Sequence, residues 1–211
     1  MEFENIMELV CEPIILRDKK MLEQAVRVLV SAYRDNPLLS YIIPGYASDS
    51  LLNWFIGMGV RYGMQYGDVY TTPGIEGVAI WFTPYHPSVT LWGLIRSGMI
   101  LTPVKLGLRA FNRLSDYMGH IAQIRRATVP LPHWYLCELG VDPDRQGKGI
   151  GSTLIRPVLN RADAECLPCY CETCNGRAVA FYEKHGFRVA HTADVPSGGP
   201  RFWALKRESR S

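Results

Sequence analysis

Hydrophobic positions along the chain switch between helical and strand spacing, which predicts an α/β fold. Apolar residues recur at three- and four-residue intervals over 19–33 and 48–66, the pattern of amphipathic helices. Shorter apolar runs, bounded by glycine, proline or charged residues, predict strands. These runs are 13–17, 69–72, 77–83, 134–141, 169–174, 187–192 and 200–206. No internal repeat or linker interrupts the order, so a single domain over 1–211 is predicted.

The connection between the third and fourth predicted strands is unusually long. It has about fifty residues, against about 4 to 6 in most connections. Helical periodicity covers 91–101 and 104–124, and Thr102-Pro103 breaks it. The sequence therefore predicts a helical insert at about 85–130.

A glycine-rich turn joins the strand at 134–141 to a helix predicted over 152–164. The turn reads Asp142-Pro143-Asp144-Arg145-Gln146-Gly147-Lys148-Gly149-Ile150-Gly151. Glycines let the backbone approach a ligand closely, and the N–H groups at a helix N-terminus attract anions. This turn is therefore a predicted anion site, with a pyrophosphate as the expected ligand.

The glycine spacing excludes two common phosphate-binding motifs. A nucleotide-hydrolysing P-loop follows the pattern Gly-x-x-x-x-Gly-Lys-Ser/Thr, whereas six residues separate Gly140 from Gly147 here. A dinucleotide fold requires Gly-x-Gly-x-x-Gly near the start of a βαβ unit, and this run is late and differently spaced. Gln146-x-x-Gly149-x-Gly151 instead resembles the coenzyme A signature of the GNAT superfamily of N-acetyltransferases, Gln/Arg-x-x-Gly-x-Gly/Ala.

A second block downstream strengthens the resemblance. It reads Asn175-Gly176-Arg177-Ala178-Val179-Ala180-Phe181-Tyr182-Glu183-Lys184-His185-Gly186-Phe187 and is similar to the GNAT pattern Asn-x-x-Ala-x-x-aromatic-Tyr-Glu-x-x-Gly-Phe. The chain most resembles puromycin N-acetyltransferase-like enzymes, densely over 134–206 and more thinly before. The resemblance implies a GNAT fold: a mixed, mostly antiparallel sheet, splayed at its centre between the strands at 134–141 and 169–174 and flanked by helices.

The same resemblance implies an enzyme that transfers an acetyl group from acetyl-CoA to a primary amine by direct attack. It implies cofactor contacts from the glycine loop, the strand before it and the second block. These residues are Leu139, Val141, Gln146, Gly147, Lys148, Gly149, Gly151, Ser152, Asn175 and Tyr182. Tyr182 matches the GNAT tyrosine assigned as general acid, and a phenol with a pKa near ~10 stays protonated at neutral pH. As purely structural residues, Asn175 would be a helix N-cap and Tyr182 a packing residue.

Two glutamates are candidates for the general base. Glu138 lies inside an apolar strand, where an ionised carboxylate is costly unless it is paired, hydrated or functional. Glu172 lies near the end of the neighbouring strand and matches a glutamate of the puromycin-enzyme pattern. The sequence leaves the choice open, with His133, His86 and Asp68 as weaker candidates.

The expected acceptor is a small, partly aromatic amine. Aromatic residues of the first two helices and the insert are candidates to line an apolar pocket, although most also suit the core. They are Trp54, Tyr62, Tyr66, Trp81, Phe82, Trp92 and Tyr117. A protein N-terminus or lysine is an alternative acceptor, and a catalytically silent coenzyme A sensor is an alternative function.

Composition and charge limit the remaining partners. The net charge of +3, spread over 211 residues, does not favour nucleic-acid binding. The acidic start without an apolar leader predicts a cytoplasmic protein. Charges and proline interrupt the most apolar segment, 89–110, so no stable membrane insertion is expected.

Four cysteines bunch at 166, 169, 171 and 174, a spacing that also occurs in zinc sites. Cys169 and Cys171 alternate along a predicted strand, however, so buried thiols and no metal are expected. The sequence does not determine the oligomeric state.

Overall fold

The computed structural model describes residues 19–43, 49–85 and 95–210. Helices lie on both faces of a six-stranded sheet. The main helices are α1 (Lys19–Ala32), α2 (Pro37–Ile42), α3 (Asp49–Tyr66), α4 (Thr102–Leu106), α5 (Leu108–Thr128), α6 (Ile150–Ala164) and α7 (Gly176–Lys184). The strands are β1 (Gly67–Thr71), β2 (Gly77–Phe82), β3 (Trp134–Val141), β4 (Cys169–Thr173), β5 (Arg188–Asp194) and β6 (Arg201–Arg207).

The sheet has the order β1-β2-β3-β4-β6-β5 and is antiparallel except between β3 and β4. These two parallel strands pair only from Trp134 opposite Cys169 to Leu136 opposite Cys171. Beyond that point they diverge, which opens a cleft in the middle of the sheet. The predicted mixed, mostly antiparallel sheet with a central splay is confirmed.

Apolar side chains on both sides of the sheet hold the helices in place. Leu154 and Ile155 of α6 pack on one face with Trp81 and Trp134, all fully buried. On the other face α1 and α3 pack over β2, and α5 packs over β4 and β6. Cys169 and Cys171 belong to the first face and Tyr170 to the second, as the alternation along the strand predicted.

Two helical segments differ from the prediction. The first helix ends before Asn36, as predicted. The short helix α2 that follows was not predicted; the Asn36 side chain caps it by accepting a hydrogen bond from Leu38 N–H (2.9 Å). In the insert, the helix predicted over 104–124 breaks at Gly107, whose φ is +79°. Pro103 lies in the first turn of α4, where the missing N–H is tolerated. The predicted strand at 13–17 and residues 86–94 of the insert lie outside the described residues.

A bulge in β3 determines which way the cleft residues face. Ile80 pairs with Glu138 and Trp81 pairs with Leu136, so Cys137 is an extra residue in β3. Cross-strand partners share a face of the sheet. Glu138 therefore points with Ile80 toward α3, whereas regular alternation would turn it toward α6.

None of the described helices is both long and apolar enough to cross a lipid bilayer.

Candidate active site

A cavity of about 220 Å³ lies where β3 and β4 diverge. Tyr33, directly after α1, and helices α2, α3 and α5 contribute to its walls on one face of the sheet, and Tyr182 of α7 reaches it from the other face. The polar or aromatic residues that line it are Tyr33, Asn36, Phe55, Tyr117, Tyr135, Cys137, Glu138, Glu172, Thr173, Cys174 and Tyr182. The cavity thus brings together both glutamates and the tyrosine that the sequence singled out.

Glu138 lies against α3 at the cleft end of the bulge. A Cβ at Gly59 would lie 2.6 Å from Glu138 Oε1, so this glycine provides the room that the carboxyl group occupies. Glu138 Oε2 is buried and has no hydrogen-bond partner among the described residues. Burial raises the pKa of Glu138 to about 8. A carboxyl group with this pKa can accept a proton near neutral pH.

Glu172 occupies the opposite wall, on β4. The Tyr135 hydroxyl donates a hydrogen bond to Glu172 Oε1, while Oε2 is buried without a partner in the described part of the chain. Burial raises the pKa of Glu172 to about 7, although the Tyr135 bond and the nearby Arg125 act in the opposite direction. Both predicted base candidates therefore reach the same cavity.

Tyr182 is 7% exposed and lies between Phe181 and Phe187, with ring centroids 5.3 and 5.7 Å away. Burial, followed by the charges of Cys171 and Glu172, raises its pKa well above 10. The phenol therefore keeps its proton at neutral pH and can donate it. The ring also packs in the core, so a packing role and a chemical role coexist.

Tyr33 is a cavity residue that the sequence analysis missed. Leu139 N–H donates to the Tyr33 hydroxyl oxygen at 3.1 Å. Burial raises the pKa of Tyr33 well above its usual range, and the nearby Glu138 and Tyr182 add to this effect. Leu139 is one of the two residues of the strand before the glycine loop that are expected to contact the cofactor, and its N–H donates to Tyr33 in this structure. Tyr33 directly follows an ordinary amphipathic helix, so no local sequence pattern indicates its contact with β3.

The glycine loop has the backbone geometry of an anion site. Gly147 and Gly149 have φ values of +75° and +82°, which favour glycine over residues with a side chain. Helix α6 begins directly after them. At its start the Thr153 N–H donates a hydrogen bond to the Gly149 carbonyl (3.0 Å). The N–H groups of the preceding turn, including Gly151 and Ser152, therefore point out of the helix N-terminus. This geometry fits a pyrophosphate.

Side chains around the loop anchor it to the strand and to itself. Gln146 Nε2 donates to the Val141 carbonyl and Lys148 Nζ to the Asp144 carbonyl, each at 3.1 Å. Arg145 forms an ion pair with Glu76 (3.2 Å). Lys148 and Arg145 carry positive charge that could attract an anion. In this structure both side chains already have partners within the protein.

Gly151 and Asn175 have structural roles beside any ligand contact. A Cβ at Gly151 would lie 3.3 Å from the Phe181 ring, so this glycine allows α6 to approach α7 closely. A bulky side chain at position 151 would therefore disturb the packing of α6 against α7. Asn175 caps α7, because its side chain accepts the Arg177 N–H at 3.1 Å.

Two of the weaker base candidates, Asp68 and His133, lie away from the cavity. Asp68 forms an ion pair with Arg161 (3.7 Å), and His133 Nδ1 lies 3.0 Å from the Pro130 carbonyl oxygen. Neither residue lines the cavity, and His86 lies outside the described residues.

Three of the predicted pocket aromatics belong to the core, and Trp54 and Tyr66, which are half-buried, do not line the cavity. Of that set, Tyr117 lines the cavity, whereas Trp81, Phe82 and Tyr62 are buried in the core and Trp92 lies outside the described residues. Within 19–43, 49–85 and 95–210, no group of three or more His, Cys, Asp or Glu side chains is placed to hold a metal ion.

Comparison with known proteins agrees with this architecture. Residues 108–187, which contain the β3–β4 splay and both sequence blocks, match the model of the Acetyltransferase (GNAT) family. An uncharacterised N-acetyltransferase of Schizosaccharomyces pombe is 27% identical over 177 residues, which are 81% of this chain and 72% of that protein. The chain thus has the GNAT fold, and its residues 108–187 match the GNAT family. Members of that family use acetyl-CoA.

Two solved structures share this fold. One, from Corynebacterium glutamicum, is described as histone acetyltransferase HPA2 and related acetyltransferase; it has a TM-score of 0.60 and 19% identity and covers 96% of this chain and 97% of its own. The other, arylalkylamine N-acetyltransferase 2 of Aedes aegypti, has a TM-score of 0.57 and 14% identity and covers 94% and 98%. At these identities the likeness shows the fold alone.

Proposed function

We propose that this enzyme transfers the acetyl group of acetyl-CoA to the primary amine of a small, partly aromatic molecule. Glu138 acts as the general base and Tyr182 as the general acid. The observation that carries the proposal is that the unpartnered Glu138 Oε2 and the Tyr182 side chain line one cavity at the splay. The two side chains reach this cavity from opposite faces of the sheet. An amine and a thioester bound between them would therefore have the base on one side and the acid on the other.

The chemistry needs one displacement at the carbonyl carbon, the loss of two protons from the acceptor nitrogen and the gain of one proton by the sulfur. Glu138, directly or through one water, takes a proton from the ammonium form of the acceptor, so that the nitrogen has a free electron pair. The nitrogen then bonds to the carbonyl carbon of the thioester, and the carbon–sulfur bond breaks with its electron pair on sulfur. Tyr182 donates its proton to that sulfur. The former amine nitrogen loses its second proton, which passes through water to the Tyr182 phenolate, and Glu138 releases its proton to solvent. The products are an amide and coenzyme A, and both residues return to their starting forms.

The walls of the cavity support a small acceptor. The volume of about 220 Å³ is below the range of about 300–1,000 Å³ typical of ligand pockets. Side chains from α2, α3 and α5 lie over the cleft, with Phe55 and Tyr117 among the lining residues. The sequence motifs over 134–206 that resemble those of puromycin N-acetyltransferase-like enzymes are a further reason to propose a small acceptor.

The coenzyme is expected to lie between the splayed strands with its pyrophosphate at the glycine loop. Gln146, Gly147, Lys148, Gly149, Gly151 and Ser152 would hold the pyrophosphate, and Leu139, Val141 and Asn175 the pantetheine arm and its surroundings. With the pantetheine arm bound along β3, the Leu139 N–H either keeps its hydrogen bond to the Tyr33 hydroxyl or donates to the ligand in its place.

A thiol-release assay with acetyl-CoA tests the proposal. Phenethylamine, benzylamine and tyramine represent small aromatic amines, and an unstructured peptide with a free N-terminus and a lysine represents protein acceptors. We expect kcat/KM for at least one small amine to exceed that for the peptide. Higher kcat/KM for the peptide would replace this proposal by protein acetylation, and binding of coenzyme A without turnover of any amine would favour a silent sensor.

A further inference from the structure

The cavity has a second carboxylate that the proposed reaction does not use. Glu172 lies on β4, across the splay from Glu138 on β3, and both line the same cavity. Cys137, the extra residue at the bulge, lines this cavity as well. Acetyl transfer needs one base, so the second carboxylate requires another explanation.

The Glu172 carboxylate is held in place on one side and unsatisfied on the other. Tyr135 donates to Oε1, and this bond fixes the orientation of the group. Oε2 is buried with no partner in the described ranges. The Arg125 guanidinium lies 4.2 Å from the centroid of the Tyr135 ring and acts on Glu172 through its charge. A buried carboxylate oxygen without a donor is unfavourable, so it marks a place where a ligand can supply one.

We propose that Glu172, held by Tyr135, binds a second protonated nitrogen of the acceptor, so that the enzyme acts on small diamines. One nitrogen reacts beside Glu138 and the other remains an ammonium group at Glu172. This inference rests on the proposed acetyl transfer. An ammonium group is favoured over a neutral donor because hydrogen bonds between two charged groups are stronger. Aromatic rings such as that of Tyr117 also favour a cation over a neutral group.

Three acceptors that differ only at one end test the proposal. They are benzylamine, 4-(hydroxymethyl)benzylamine and 4-(aminomethyl)benzylamine, which share the ring and the reacting amine. We expect wild-type kcat/KM for the diamine to exceed that for benzylamine by roughly 10-fold or more, the effect of one charge-assisted hydrogen bond. In Glu172→Gln, which keeps the shape and removes the charge, this ratio should fall to about 3 or below.

A matched control separates this effect from general disturbance of β4. Tyr170→Phe removes another buried hydroxyl without a recorded partner, two residues before Glu172 on the same strand, and should leave the ratio unchanged. Circular dichroism and thermal unfolding verify that both variants fold. A proportional loss for all three acceptors in Glu172→Gln would overturn the proposal and assign Glu172 to the chemistry or the fold. A wild-type preference for the hydroxymethyl compound would overturn it as well.

A binding measurement distinguishes failure of this inference from failure of the proposed function. Calorimetry with the enzyme saturated with coenzyme A reports binding of benzylamine and of the diamine without any turnover. If no amine is acetylated but the diamine binds more tightly and loses this advantage in Glu172→Gln, the proposed function fails and the diamine site stands. If amines are acetylated and the two bind equally, the diamine site fails alone.

Discussion

Replacing Glu138 by Gln should remove a large pH dependence from the stability of the protein. The folded state raises the pKa of this carboxyl group from 4.5 to about 8 by burial. A shift of about 3.5 pH units, at about 1.4 kcal/mol each, corresponds to ~5 kcal/mol between the protonated and ionised forms. Water in the cavity beside the carboxyl group would reduce this value, so we expect about 2 to 4 kcal/mol.

The sign follows from which state binds the proton more tightly. Because the folded pKa is the higher one, the folded protein retains the proton between about pH 4.5 and 8, where the unfolded chain has lost it. The contribution of Glu138 to stability is therefore complete below about pH 4.5 and is lost as the pH rises through about 8. The amide of the substituted side chain is neutral throughout, so Glu138→Gln should gain stability relative to the wild type as the pH rises.

Urea unfolding at pH 5.5 and pH 9 measures this difference by linear extrapolation. Glu183→Gln is the matched control, because Glu183 is exposed on α7 and the same substitution should leave the difference between the two pH values unchanged. A stability difference between Glu138→Gln and wild type that is equal at both pH values would refute the reasoning. The carboxyl group would then be hydrated rather than buried, and the argument for a base that titrates near pH 8 would fall.

The remaining predictions concern the acid, the loop and the packing of the base. Tyr182→Phe should lower kcat by about 10²- to 10⁴-fold with little change in coenzyme A affinity, measured by thiol release and calorimetry. Gly149→Ala forces a side chain onto a φ of +82° and should weaken coenzyme A binding by roughly 10-fold, measured by calorimetry. Gly59→Ala places a methyl group 2.6 Å from the unshifted Glu138 Oε1 and should lower kcat by up to about 10²-fold, because the carboxylate must move.

One control serves both glycine variants. Gly119 lies inside α5, and a Cβ there would have no atom within 4 Å, so Gly119→Ala should change neither coenzyme A affinity nor kcat. Normal affinity in a folded Gly149→Ala protein would remove the loop from the cofactor site. Normal kcat in Gly59→Ala would show that the position of Glu138 is not critical. For Tyr182→Phe, near-normal turnover with chemistry rate-limiting would remove Tyr182 from the mechanism.

Local patterns were sufficient to predict the parts of the fold that local forces determine. The strand at 134–141 has the predicted bounds, and alternation correctly placed Cys169 and Cys171 on one face. The coenzyme loop lies within one short stretch of chain, so its glycine spacing was visible in the sequence. The approach of Gly151 to Phe181 depends on the packing of two helices and could not be inferred in this way.

The contacts of the acceptor side depend on residues that are distant in the chain. Tyr33 and Leu139 form a hydrogen bond across 106 positions, and neither is unusual within its own segment. The bulge at Cys137 leaves no mark on the apolar pattern of β3, although it reverses the direction of every side chain that follows. Glu138 was noticed because a carboxylate is unusual in an apolar strand, but the sequence did not indicate which face it would occupy.

The bulge and the splay together explain how one sheet can support acid and base chemistry at the same point. A continuous sheet separates its two faces, so a side chain from α7 on one face would not meet groups packed under α3 on the other. Divergence of β3 and β4 after Leu136 removes that barrier and lets Tyr182 line a cavity on the opposite side. The extra residue directly after Leu136 turns Glu138 into the same cavity, against the space left by Gly59. Pairing of β3 and β4 therefore has to stop where the bulge begins, because either feature alone would leave the two groups on separate faces.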